Sequence, residues 1–287
     1  MSVSTLLSRA AEKRVLFVGE TIIDVYHYVR PLGRPLKESI VSVEHISTET
    51  FQGGVVAAAA HARDFCKDVQ IWSSAETVVK ERWVEAAHVR KLFECYGKRN
   101  GHTQVQDDSI DRFHAVIVTD YGHGMMTPIN IGYIKEAQYL AVNVQTNSGN
   151  YGFNLANKYA GAPVNYLVVD EPEARLATNN QYASIEISLD MLYNQLAPKV
   201  VITLGKDGAI GMDATGIHRA PAYVDKVVDT LGAGDAFFAI TALIAEEATM
   251  PEILQIGNAA GACKTKIIGH QREVKKDELI RMLDKVR

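Results

Sequence analysis

Cysteine is scarce in this sequence, and no long apolar run occurs. The three cysteines, Cys66, Cys95 and Cys263, are far apart and form no CxxC pair. That excludes a disulfide scaffold and a cysteine-rich zinc site, and it suits a reducing cytoplasm. No stretch approaches the roughly 18 apolar residues needed to span a bilayer. The segment Met1 to Arg14 lacks a basic leader followed by an apolar core and a small-residue cleavage site, so no secretion signal is expected. Neither sign of charge dominates: 30 Lys+Arg stand against 34 Asp+Glu, a net charge of −4. Neither a nucleic-acid nor a membrane partner is therefore expected. Several motifs are missing too. Without GxxxxGK followed by Ser or Thr, the chain is not a P-loop kinase, and without GxGxxG after a strand a dinucleotide dehydrogenase is unsupported. GxSxG, HExxH and HRDxxxxN are absent, and the nine histidines show no metal spacing.

What the sequence does contain is material for a substantial core. Its 287 residues are 47% hydrophobic and 22% charged, enough for one large α/β domain or two ordinary ones. Arg14 to Gly19 (RVLFVG) predicts a buried first strand. Thr21 to Phe51 shows no helical period; within it Ser39 to Ile46 nearly alternates, after turn signals at Pro31, Gly33 and Pro35. Further strands are expected over 69–73, 77–84, 88–96, 115–119, 140–144, 166–169, 199–204 and 209–212. Helices are expected over 55–65, after Thr127-Pro128, and over 171–177, 188–196, 233–247, 251–267 and 274–286. Buried strands alternating with helices predict an α/β fold, with a mostly parallel sheet covered on both faces. The strands near 25–50 and 77–96 lack interposed helices and predict a small antiparallel sheet of their own.

The sharpest chemical signal is Asp229-Thr230-Leu231-Gly232-Ala233-Gly234-Asp235, which runs straight into the apolar helix AFFAITALIA. At a helix start the backbone N–H groups of Ala233, Gly234 and Asp235 have no intrahelical partners, and the helix dipole favours an anion there. Glycines let the backbone come close to that anion. A carboxylate beside an anion hole makes sense where a hydroxyl attacks a phosphoryl group: the loop holds the phosphate, and Asp235 aligns the hydroxyl and takes its proton. A weak base suffices, because the transition state is loose and asks mainly for positioning and charge stabilisation.

This heptad resembles the DTxGAGD signature of the ribokinase-like (PfkB) carbohydrate kinases, and other pieces follow in that family's order. Gly19-Glu20 with Asp24 resembles its first-strand motif, and Gly53-Gly54 before an alanine-rich helix resembles its glycine pair. Asp120 to Gly124 (DYGHG) is similar to its central segment, and Glu173 in DEPE resembles the Glu of its NxxE metal motif. The resemblance spans about Arg14 to Arg287. Tyr121 to Thr127 (YGHGMMT) and Ala141 to Asn147 (AVNVQTN) are similar to the branch acting on D-glycero-D-manno-heptose 7-phosphate. The resemblance implies a Rossmann-like ribokinase fold, a single domain over 1–287 with a β-sheet lid from about 25–50 and 77–96. It also implies ATP and Mg²⁺, with Asp235 as base and Gly232 to Asp235 as anion hole. Asp24, Gly53 and Gly54 then grip a sugar, and Lys37 in the lid meets a phosphate already on it, as Arg82 or Arg90 alternatively would. Thr203, Gly205, Lys206 and Gly208 lie beside ATP, Asn258 lines the adenine pocket, and Glu173 with Asp170 holds Mg²⁺ mostly through waters. His123 either faces the substrate or is structural.

Three departures from the family pattern stand out. Its NxxE asparagine is Asp170 here. The Asn often found after the glycine pair is replaced by Val55 to Ala60. Only Ala75 and Glu76 separate Ser74 from Thr77, where the family carries a further helix and strand. A shortened sheet edge is therefore expected, and the exposed lid strands suggest a homodimer. Besides a sugar-phosphate kinase, two readings stay open: a kinase for an unphosphorylated sugar or nucleoside, and a non-catalytic nucleotide- or sugar-binding protein.

Overall fold

The computed structural model describes residues 3–33, 35–74, 77–97, 110–223 and 226–285. Twelve strands and eight helices alternate along them. In chain order these are α1 (Val3–Glu12), β1 (Arg14–Gly19), β2 (Thr21–Gly33), β3 (Ser42–Gly54), α2 (Val55–Arg63), β4 (Asp68–Ser73), β5 (Val78–Glu85), β6 (Arg90–Tyr96), β7 (Ala115–Asp120) and α3 (Pro128–Ile134). There follow β8 (Leu140–Val144), β9 (Tyr166–Asp170), α4 (Glu171–Thr178), α5 (Ile185–Gln195), β10 (Val200–Thr203), β11 (Ala209–Asp213), β12 (Gly216–Ala220), α6 (Ala233–Ala242), α7 (Met250–Lys264) and α8 (Lys276–Lys285).

Eight strands form the main sheet in the order β12-β11-β10-β9-β8-β7-β1-β4. Pairing is parallel from β4 across to β10 and antiparallel for β11 and β12. The apolar runs that predicted buried strands sit at its centre, with alternate residues entering opposite layers. Val15 and Phe17 pack with Leu6, Val55, Phe238 and Leu279 on one face. Leu16 and Val18 pack with Ile131, Ala174 and Leu189 on the other. Helix starts follow their capping signals: the Thr127 side chain accepts from Asn130 N–H ahead of Pro128, and Thr249 with Glu252 closes a capping box ahead of α7.

The four-stranded lid has the order β3-β2-β5-β6. It departs from expectation in three ways. β2 and β3 run further than expected, to Gly33 and from Ser42 to Gly54, so Pro31 lies inside a ladder opposite Val43. The sheet is mixed, not antiparallel, because β2 and β5 pair in parallel: α2 and β4 intervene and return the chain in the same direction. The strand expected from Ser39 begins only at Ser42, after bends at 36–39.

Helix α1 and strand β12 were not expected. α1 is amphipathic, burying Leu6, Leu7 and Ala10, and β12 follows a two-residue turn after β11. Helix α6 ends at Ala242, short of the expected 247. Val286, expected to close the last helix, and Ala75 and Glu76 lie outside the described residues. Among the described residues β4 pairs only with β1 and ends the sheet. No helix among the described residues is long and apolar enough to cross a membrane.

Candidate active site

The glycine loop folds as its sequence requires. Gly232 caps α6 in the left-handed region, at φ 75°, where a side chain would be strained and would press on Lys264 and His270. Ala233 N–H turns back to the Thr230 carbonyl at 3.3 Å, so it is not one of the free donors expected there. The N–H groups of Gly232, Gly234 and Asp235 have no acceptor among the described residues. A Cβ on Gly234 would meet only open space. That space belongs to a cleft of about 340 Å³. Thr203, Gly205, Lys206, Gly208 and Asn258 all line it, together with Ala233 and Gly234. Asn258 also donates to the Ala220 and Pro221 carbonyls at 3.1 and 2.9 Å, which fixes the chain after β12 against α7. Tyr223, Val227, Phe237 and Ala262 make much of the wall apolar, which suits a flat base with its phosphates towards α6.

Asp235 is buried at the first turn of α6. Tyr121 Oη donates to its Oδ1 at 2.9 Å and Gln145 Nε2 donates to the same oxygen at 2.7 Å. Oδ2 has no hydrogen bond among the described residues. Burial, and then the Asp235 charge, raise the Tyr121 phenol well above its ordinary value, so it stays a donor. Glu20 sets Tyr121 in place. Its fully buried carboxylate accepts from the N–H groups of Tyr121, His123 and Met125 at 3.1, 3.0 and 3.1 Å. Burial and the neighbouring Asp120 raise its pKa against the pull of these bonds. Glu20 thus shapes the loop after β7, and His123 is buried in that loop.

On the lid side, Asp24 is buried and already engaged. Arg82 donates to Oδ1, and His270 Nε2 lies 3.4 Å from Oδ2. Burial works to raise this carboxyl, but His270 and Arg82 outweigh it and lower it. Gly53 is needed because a Cβ there would run into the Asp24 carboxylate. Val78, Lys80, Arg82 and Val84 point inward from β5. Arg82 also reaches Glu94 at 3.3 Å. Lys80 lies over the Tyr96 ring at 5.2 Å and forms no salt bridge among the described residues. Burial and Arg82 lower its pKa, while Asp24, Glu94 and Asp235 favour its charge. Lys37 is exposed in the bend between β2 and β3 and Arg90 is exposed at the start of β6; neither lines the cleft. Sequence reasoning missed Lys80, Gln145 and His270. The two-residue period of VVKERWVE, which places Lys80 beside Arg82 on one face, was the available signal for the first.

Asp229 ties the lid to the loop. It accepts from Lys91 Nζ at 2.9 Å, Tyr26 Oη at 3.2 Å, Leu231 N–H at 3.0 Å and Gly269 N–H at 2.9 Å. Burial acts to raise its pKa, but Lys91 and the two backbone donors bring it down to about 2.

Asp170 and Glu173 form a capping box at the start of α4, with bonds of 2.7 and 2.8 Å. Thr146 N–H donates to Glu173 at 2.8 Å, so consecutive residues Gln145 and Thr146 connect Asp235 with Glu173. Asp170 pairs in register with Thr203 of the cleft. Burial, and then the Asp170 charge, push Glu173 up to about 8; burial, with the Glu171 charge, raises Asp170 against the pull of its bonds to Glu173. No group of three or more metal-ligating side chains occurs among the described residues. A buried Glu173 beside a half-buried Asp170, neither in a salt bridge among the described residues, fits Mg²⁺ held through water and phosphate oxygens, not a closed protein cage.

Known proteins are similar to this chain in sequence and in backbone. Residues 135–276 match the sequence profile described as pfkB family carbohydrate kinase. The chain is 29% identical over 168 residues to the bifunctional protein HldE of Campylobacter jejuni, which covers 57% of this chain and 35% of that protein. It thus spans about a third of the length of that relative. It is 41% identical over 75 residues to the ATP-dependent 6-phosphofructokinase of Thermoanaerobacterium thermosaccharolyticum, 25% of this chain and 23% of that one. The structure of Arabidopsis thaliana ribokinase complexed with ribose and ATP superimposes with a TM-score of 0.73 at 14% identity, covering 95% of this chain and 99% of the other. The backbone is therefore that of the ribokinase fold. Over residues 135–276, about half of the chain, the protein thus carries the signature of the pfkB family of carbohydrate kinases, on a backbone that has the ribokinase fold throughout.

Proposed function

We propose that the protein, as one ribokinase-like domain over 1–287, transfers the γ-phosphoryl group of ATP to a sugar hydroxyl. We further propose that its acceptor already carries a phosphate, as a heptose 7-phosphate or a similar sugar phosphate phosphorylated at the anomeric hydroxyl would. The observation that carries the first part is the Asp235 carboxylate, clamped through one oxygen by Tyr121 and Gln145, with its other oxygen and three nearby N–H groups unpaired among the described residues.

In this reading ATP lies in the cleft with its base among the apolar residues and its γ-phosphate at the N–H groups of Gly232, Gly234 and Asp235. Lys206 adds positive charge at the rim. The acceptor hydroxyl donates to Asp235 Oδ2. As its oxygen bonds to phosphorus, the bond from phosphorus to the β,γ-bridging oxygen breaks, the proton passes to Asp235, and ADP leaves. Asp170 and Glu173 would hold Mg²⁺, which supplies charge neutralisation on the phosphates. Asp24, aligned by Arg82 and His270 and backed by Gly53, receives sugar hydroxyls. Gly54 lets the chain turn from β3 into α2 beside it.

Lys80 supports the phosphorylated acceptor. It is a mostly buried cation near Asp24 and Asp235 with no carboxylate paired to it among the described residues, whereas Lys37 is held away in the lid bend. The partial likeness to HldE supports the same substrate class. Pairing of two copies through the lid is proposed with it: β3 and β6 are edge strands, with Ile46 and Phe93 exposed on them. Light scattering of the pure protein checks the pairing.

The test of function is ATP-dependent phosphorylation across a panel of sugars and their phosphates. A kcat/KM at least about tenfold higher for a sugar phosphate than for its parent sugar is expected. Preference for free sugars or nucleosides would overturn the phosphate part. Binding without turnover on any acceptor would favour a non-catalytic protein.

A further inference from the structure

Lys264, the last residue of α7, is fully buried. Its ammonium forms no salt bridge among the described residues. It donates instead to three backbone carbonyls: Leu231 at 2.7 Å, Gly269 at 2.7 Å and Ile267 at 3.4 Å. A lysine ammonium has three N–H groups, so its bonding capacity is met by carbonyls alone. One of them belongs to the glycine loop. A buried cation held this way is costly unless its charge serves something.

The carbonyl frame does not depend on the lysine. Asp229 holds it from the other side, accepting from the N–H groups of Leu231 and Gly269. Because the peptide after Leu231 is trans, a carbonyl turned to Lys264 sends the Gly232 N–H in the opposite direction. That N–H is one of the three loop donors without an acceptor among the described residues. A Cβ on Gly232 would come within 3.2 Å of Lys264 Cε, so the lysine stem packs directly under the loop. Burial lowers the ammonium to about 8, while Asp229 and Asp235 work to keep it charged.

We propose that Lys264 is a positioning residue for phosphoryl transfer: a built-in cation, bound like a free monovalent ion in a backbone-carbonyl cage, that orients the Leu231–Gly232 peptide and adds positive charge beneath the anion-binding N–H groups. The inference rests on the kinase reading above. It follows that the protein needs no added monovalent cation, and that removal of the side chain leaves a cage that takes ammonium or potassium.

The test uses the full chain and its Lys264→Ala and Lys264→Met variants. Turnover and melting are measured in choline, ammonium or potassium chloride at equal ionic strength. Wild type is expected to be indifferent to the cation. In choline, Lys264→Ala loses about 100-fold in kcat, and ammonium or potassium restores at least about tenfold of it. Lys264→Met, whose apolar chain fills the cage, is not restored. A readout independent of turnover accompanies these. The ATP-induced rise in Tm shrinks in Lys264→Ala and returns with ammonium, while the rise induced by adenosine is unchanged.

A Lys264→Ala kcat within about threefold of wild type in choline overturns the proposal, as does a loss that no cation relieves. Activation of the wild type by potassium overturns it too. If neither variant folds, the lysine is structural only and the proposal falls. Failure of the kinase reading looks different: the wild type then shows neither turnover nor an ATP-induced rise in Tm, and both ideas fail together.

Discussion

The Tyr121 hydroxyl meets the Asp235 carboxylate at 2.9 Å, on the same oxygen that Gln145 reaches at 2.7 Å. The two donors come from the chain after β7 and the chain after β8, so adjacent strand ends aim one side chain. A carboxylate clamped at one oxygen turns its other oxygen in a fixed direction, which is what alignment of a hydroxyl requires. Hydrogen bonds to a charged group are worth about 1.5–3 kcal/mol. Tyr121→Phe and Gln145→Ala should each lower kcat by roughly tenfold or more with little change in the KM of ATP. Steady-state kinetics checks this. A rise in the KM of ATP at constant kcat would place these residues in nucleotide binding instead.

Lys80 carries the second expectation. Lys80→Met keeps the length and packing of the side chain and removes its charge. For a phosphorylated acceptor KM should rise by about 10- to 100-fold, and for the parent sugar it should move little. Isothermal titration or kinetics on matched pairs of sugars checks it. The same measurement on Lys37→Ala decides between the two lysines: a lost preference there would return the role to the lid bend.

Asp229 gives a pH expectation. Its carboxyl is depressed from 3.8 to about 2 by Lys91 and the loop N–H groups, against the opposing effect of burial. Tyr26 also faces it, and Lys264 is close enough to feel its charge. A carboxyl depressed in the folded state contributes stability that is present above its unfolded value and lost as pH falls through the folded value. The window is therefore pH 3.8 down to about 2. Urea unfolding over that range should show wild type losing stability faster than Asp229→Asn, which starts less stable at neutral pH. Parallel curves for the two proteins would show that Asp229 adds no such dependence.

Much of this molecule was legible in its sequence. The central strands are apolar runs buried on both sides, and Thr127-Pro128 and Asp229 to Asp235 announce helix starts by local chemistry. Thr230, Ala233 and Gly234 of the cleft sit at such a helix start, and the residues assigned to the nucleotide meet in one cavity. What stayed hidden depends on contacts distant in sequence. Lys264 reads as a charged interruption at the end of an apolar helix, and only the approach of Leu231 and Gly269 gives it partners. Gln145 gains its meaning from Asp235, ninety positions away. The parallel pairing of β2 with β5 is set by the path through α2 and β4, which local alternation does not encode. Helix α1 is short and lacks a capping signal, so only the spacing of Leu6, Leu7 and Ala10 on one helical face announces it.

The central claim is that Asp235 takes the proton from the acceptor hydroxyl while the loop beside it holds the phosphate. Its most direct test compares wild type with Asp235→Asn in ATP-dependent phosphorylation of the best acceptor in the panel. The substitution preserves shape and removes the base. Turnover by wild type and a loss of about 100- to 10,000-fold in the variant, with the KM of ATP nearly unchanged, is the result this account predicts. A variant that turns over as fast as the wild type would contradict it.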